Sequence, residues 1–350
     1  MKKHSRVQGP ATLAMACASV LLVAYHVRYL VLTNYAEVAR GTVWIDAFYF
    51  LSGLGHQAFG MFFVLQGYLL ATSVRRLPDY RGLFLLKAAS TYALLLPVLL
   101  VGLVLDGAGS RLLNQSGLYT AFPDFSVLRL NAATLLGQLL LAQPLDLPTF
   151  GSNGVLWVLA FEWWYSCLFL LLAALLRRRR RAGQLLLGAF VLALLAGFPS
   201  EFVNWGLIWL MGVAAAQPGL PAPPRRLALA VCVLALVLSR YLEAQAELLN
   251  GPAGLAFSFV KDASFALAFA WLLQAWRSGA GGLAPSFSSA IFFGHFPVMM
   301  FIVALGARWQ PLKQQPGAGA LLWFLLATVA VYAVGWGVYV VVRRALAPPD

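Results

Sequence analysis

Apolar blocks nearly free of charge, most of them about twenty residues long, follow one another along this chain with short polar stretches between them. An α-helix rises 1.5 Å per residue, so a block of that length crosses the roughly 30 Å hydrocarbon core of a bilayer. Inside the blocks the apolar residues keep neither the period of a half-buried helix nor that of a strand, as expected of helices surrounded by lipid or by other apolar helices. Composition agrees: of 350 residues, 61% are hydrophobic and only 11% charged, whereas a soluble domain carries roughly a quarter of its residues as charges. Soluble folds are excluded.

The blocks fall at residues 11–32, 47–72, 82–105, 154–176, 184–198, 202–216, 227–242, 256–276, 286–306 and 319–342. The formal net charge of +13 comes from basic clusters between them: Lys2, Lys3 and Arg6; Arg75, Arg76 and Arg81; Arg177 to Arg181; Arg225 and Arg226; Arg343 and Arg344. These clusters are not interleaved with aromatics on one surface, so they read as cytoplasmic anchors under the positive-inside rule and not as a nucleic-acid site. An N-terminus placed inside puts every cluster on one side. The loops 34–42, 106–129, 243–254 and 308–315 then lie outside. The stretch 128–142 is short, and counting it as a span would move the arginine run outside, so it reads as an interfacial or re-entrant helix. The first block lacks a clear cleavage site and reads as a retained helix. The expected fold is all-α: a polytopic membrane helix bundle of about ten transmembrane helices, both termini cytoplasmic, forming a single integral membrane domain over 1–350. Cys17, Cys167 and Cys232 lie in apolar segments without metal-like spacing, so neither a disulfide nor a metal site is expected.

Ionisable side chains inside spans cost several kcal/mol and face a partner or a cavity. His26 lies in "LLVAYHVRYL", Glu162 in "LWVLAFEWWYSCL" and His295 in "AIFFGHFPVMM"; Lys87 and Asp262 sit nearer helix ends. Their depths allow His26, Glu162 and His295 to meet in one central cavity. A histidine beside a carboxylate is the smallest arrangement for general-base catalysis, because the carboxylate fixes the tautomer and stabilises the imidazolium. An alcohol can be activated there. The plainer readings stay open: a membrane histidine that only bonds a neighbouring helix, and a glutamate at the water interface.

Four stretches, in order, resemble the membrane-embedded acyltransferase-3 family, which transfers acyl groups to sugars and other hydroxylated acceptors. They are "LLVAYH" ending at His26; "MFFVLQGYLL" with Phe62, Phe63, Gly67 and Tyr68; "LWVLAFEWWY" with Trp157, Leu159, Glu162 and Tyr165; and "SSAIFFGHFPV" with His295, Pro297 and Val298. The resemblance implies a membrane O-acyltransferase of the bacterial cytoplasmic (inner) membrane, with His26 and Glu162 catalytic and with His295, Trp157, Tyr165 and Gln66 binding substrate. It implies acyl-CoA, specifically acetyl-CoA, as co-substrate and no bound cofactor. Its acceptor would be a carbohydrate or lipid-linked glycan, such as an exopolysaccharide unit, and the lipid bilayer the other partner. Where the family carries an arginine eleven residues before its histidine, this chain has Met15, and Gln66 replaces a serine. The phosphate charges of a donor then fall to Lys87, Arg75 and Arg76. A transporter or flippase would line a path with the same polar groups, but two related halves with broken helices are not apparent. An inactive acyltransferase-like scaffold is the reading that Met15 motivates.

Overall fold

The computed structural model describes residues 9–77, 79–120, 128–178, 199–246, 249, 251–276 and 283–347. Among these residues the secondary structure is helical, and β pairing is confined to the isolated bridges Leu32–Gln314 and Arg129–Gly151. The helices are α1 (Pro10–Val31), α2 (Val43–Leu51), α3 (Gly55–Arg76), α4 (Tyr80–Leu112), α5 (Ala132–Leu139), α6 (Leu156–Arg178), α7 (Ser200–Ala215), α8 (Arg225–Ala246), α9 (Gly251–Trp276), α10 (Phe287–Gly306) and α11 (Ala318–Ala345).

Seven stretches among the described residues are long and apolar enough to cross a membrane: α1, α2 together with α3, α4, α6, α9, α10 and α11. Their outer rows are bare apolar side chains, such as Leu96, Leu100 and Val104 on α4 and Leu322, Leu325 and Val329 on α11. Exposed rows of this kind are a liability in water and a fit in lipid.

Three of the ten expected spans are not among the seven. Residues 184–198 lie outside the described ones. Helix α7 has 16 residues and rises about 24 Å, less than the hydrocarbon core. Helix α8 has 22 residues, but Arg226 and Arg240 leave only 227–239 free of charge.

Two boundaries also differ from expectation. Residues 47–72 are not one helix: Ser52 donates to the Phe48 carbonyl through both its amide (2.9 Å) and its hydroxyl (2.6 Å), ending α2 in a turn before α3. The loop expected from Asp106 starts later, because α4 continues to Leu112. The charge that suggested a helix end is buried and hydrogen-bonded instead. The stretch 128–142 holds only the eight-residue α5, capped by Asn131, whose side chain accepts from the Thr134 amide at 2.9 Å. At about 12 Å it is too short to cross.

The chain forms two compact units. The first comprises Met1–Ala18, His56–Lys87 and Glu162–Ala284, and the second Ser19–Gly55, Ala88–Phe161 and Pro285–Asp350. In the first, α3 and α7 meet backbone to backbone. A methyl group at Gly67 would run into the Trp209 carbonyl and one at Gly212 into the Val64 carbonyl, the close approach that small residues permit between membrane helices. In the second, α10 is the core helix, with every residue from Ala290 to Met300 buried.

Candidate active site

The second unit holds a pair of imidazoles. Helix α10 starts at a reciprocal cap between Ser286 and Ser289 and carries Pro297 in its interior. Proline has no amide hydrogen, so the carbonyl four residues earlier, that of Phe293, lacks its helical donor. Asn153 supplies one: its Nδ2 donates to the Phe293 oxygen at 2.7 Å. Two residues before the proline, His295 Nδ1 lies 2.8 Å from the Phe292 carbonyl and 3.2 Å from that of Ile291. Carbonyls only accept, so Nδ1 carries the proton and Nε2 of the neutral ring carries the lone pair.

That lone pair faces His26. His26 Nδ1 and His295 Nε2 are 2.8 Å apart, so His26 donates through Nδ1 and its own Nε2 is the basic nitrogen. The rings lie nearly parallel at 19° with centroids 5.1 Å apart, and the edges of Tyr25 and Phe296 close on the His26 ring. Both histidines are buried, at 4% and 0% exposure. Each tautomer is thus set by the next group along the row, as a carboxylate sets it in more familiar arrangements.

The turn that carries Asn153 is itself clamped. Asp106 of α4, fully buried, accepts from the Ser152 amide at 2.8 Å and from the Ser152 hydroxyl at 2.7 Å. Gly151 has φ +69°, and a methyl group there would press on the Asp106 carboxylate. Its amide donates to the Arg129 carbonyl at 3.0 Å.

The first unit holds further buried charges. Lys87 Nζ sits 2.7 and 2.6 Å from the two oxygens of Glu162, and Ser166 donates to the same carboxylate at 2.7 Å. Glu162, expected to orient His26, therefore meets a lysine and a serine, while the hydrogen-bond partner that fixes the His26 tautomer is an imidazole. Tyr165 is buried among Phe63, Phe202 and Trp209, with its hydroxyl on the Phe202 carbonyl. Gln66 is half-buried on α3, whereas Trp157 belongs to the second unit, where it is half-buried with its ring 5.0 Å from Phe161. Arg75 and Arg76, at the end of α3, line a cavity of about 370 Å³ with Tyr68, Thr72, Gln217 and Gln274.

The first unit also contains a histidine–carboxylate pair that the sequence reading passed over. His56 Nε2 lies 2.8 Å from Asp262, whose other oxygen takes Lys261 Nζ at 2.7 Å. Next to it, Gln57 donates to Ser239 at 3.1 Å and to Glu243 at 3.0 Å. These bonds tie α3, α8 and α9 together. Among the described residues no three histidine, cysteine, aspartate or glutamate side chains converge as metal ligands do.

The model of one protein family, described as an acyltransferase domain, matches residues 13–340, nearly the whole chain. The chain belongs to the acyltransferase-3 family. No curated protein and no solved structure matches it. Of the family-like residues, His26 and His295 come together. Lys87 meets the motif glutamate Glu162. Gly67 of the second motif serves the contact with α7. Asn153, Ser152 and Asp106 carried no signal of their own in the sequence. The clue was Pro297, whose unmatched carbonyl requires a donor from somewhere, though the sequence does not say from where.

Proposed function

We propose that this acyltransferase-family protein is a membrane O-acetyltransferase that moves the acetyl group of acetyl-CoA to a hydroxyl of a carbohydrate or lipid-linked glycan at a bacterial cytoplasmic membrane. The observation that carries the reading is the row from the Phe292 carbonyl through His295 to His26, which leaves a lone pair on His26 Nε2. In the reaction the acceptor hydroxyl gives its proton to His26 Nε2 while its oxygen attacks the thioester carbonyl carbon. The carbon–sulfur bond then breaks, and the thiolate leaves with the proton returned by the imidazolium. His295 holds the tautomer and shares the transient positive charge through the Nδ1–H bond.

Donor binding falls to Arg75 and Arg76, because the charge of Lys87 is already met by Glu162. Two arginines that line one cavity suit the phosphates of a nucleotide-bearing thioester. Ten spans with both termini inside remain the topology we infer from the basic clusters. The test is acetyl-CoA turnover by the purified protein, together with mass spectrometry of cell-surface glycans with and without it. The expected result is acceptor-dependent release of free thiol and loss of an acetyl mass from the glycan. Replacing Arg75 and Arg76 by glutamine should raise the donor KM by about tenfold with little change in kcat. Unchanged glycans and no thiol release would instead favour transport or a scaffold.

A further inference from the structure

We infer that Asn153, held by the Asp106–Ser152 clamp, is the positioning residue of the imidazole pair. This rests on the reading of His26 as the proton acceptor. Every link lies in one compact unit and is a hydrogen bond of 2.7–2.8 Å: Ser152 to Asp106, Asn153 to the Phe293 carbonyl, His295 to the Phe292 carbonyl, and His26 to His295.

The reason lies in Pro297. Its ring removes one helical donor and crowds the Phe293 carbonyl, so the turn 293–297 has no intrahelical bond of its own to hold that carbonyl. His295 sits within this turn. An orphaned carbonyl in an apolar helix core costs about 1–3 kcal/mol, and the helix would shift to relieve it, carrying the His295 ring along. Asn153 prevents this from outside the helix. The amide orientation follows from the partner, since a carbonyl can be met only by the Nδ2 donor. Asn153 is 2% exposed and its turn is fixed at the neighbouring residue by two bonds to Asp106, so the donor is held rigidly. Asp106 in turn explains why α4 carries a carboxylate at a fully buried position.

The test combines two replacements and two readouts. Asn153→Leu keeps the side-chain shape and removes the donor. Pro297→Ala restores the helical amide to the Phe293 carbonyl and makes Asn153 redundant. Displacing a catalytic group by about 1 Å can lower rate 100-fold, so Asn153→Leu should reduce kcat about 10- to 100-fold with KM within about twofold. In the Pro297→Ala background the same change should reduce kcat little further. The chain has four histidines, so nitrogen NMR of histidine-labelled protein in micelles reads the imidazoles directly. His26 and His295 should both be protonated at Nδ1, and Asn153→Leu should move both sets of signals in the Pro297 protein but not in the Pro297→Ala protein. Ser152→Ala, which removes one bond of the clamp, should act in the same direction more weakly and serves if Asn153→Leu does not fold. Unchanged imidazole signals in Asn153→Leu, or equal effects in both backgrounds, overturn the inference. If the unaltered protein transfers no acyl group while the NMR effects appear, the positioning stands and the acyltransfer reading falls.

Discussion

A histidine inside an apolar helix bundle is tolerated only where its ring nitrogens have partners, because an unmet polar group there costs several kcal/mol. His26 and His295 answer this with each other, and Lys87 and Glu162 do the same as an ion pair. The sequence singles out all four residues by their rarity in apolar blocks. It does not pair them, since the partner of a buried side chain depends on how helices distant in sequence are rotated. It also misses Asn153 and His56, whose roles come from neighbours 140 and 206 residues away in the chain. The Lys87–Glu162 pair makes a prediction about stability. Removing one partner strands a buried charge and should lower unfolding stability by about 3–5 kcal/mol. Replacing both at once, Lys87→Met with Glu162→Leu, should recover most of that loss. Unfolding in detergent would read both, and a double variant as unstable as the sum of the singles would contradict the pairing.

At the level of helices, the long apolar blocks are legible because length and lack of charge suffice to define them. The blocks at 11–32, 82–105, 154–176, 256–276, 286–306 and 319–342 all reappear as helices. What could not be read was where a charge is buried instead of marking an end, as with Asp106 in α4, and where a serine breaks a block, as at Ser52. Residues 184–198 and 202–216 are the point at which composition and topology part, since both stretches are short for a span while the inferred orientation needs both, or neither, to cross. Single cysteines in an otherwise cysteine-free protein test this. A membrane-impermeant thiol reagent should reach Gln310, in the loop before α11, from outside intact cells. It should reach Arg177 and Pro218 only after permeabilisation. Labelling of Pro218 in intact cells would require 184–198 or 202–216 to be withdrawn as a span.

For the molecule as a whole, the family and the imidazole pair point to one chemistry, and the other observations have places around it. Helix α10, buried from Ala290 to Met300, carries one member of the pair and α1 the other. The α10 proline leaves a carbonyl that Asn153, in the turn before α6, satisfies, and in the proposed function Arg75 and Arg76 are the cations that would meet a charged donor. The central claim is that His26 Nε2 takes the proton of the attacking hydroxyl. The most direct measurement is single-turnover acetyl transfer by His26→Gln, which keeps a polar side chain in place but cannot accept the proton. The account predicts a folded protein that binds donor normally and transfers about 100- to 10,000-fold more slowly. Transfer by His26→Gln at a rate near that of the unaltered protein would contradict it.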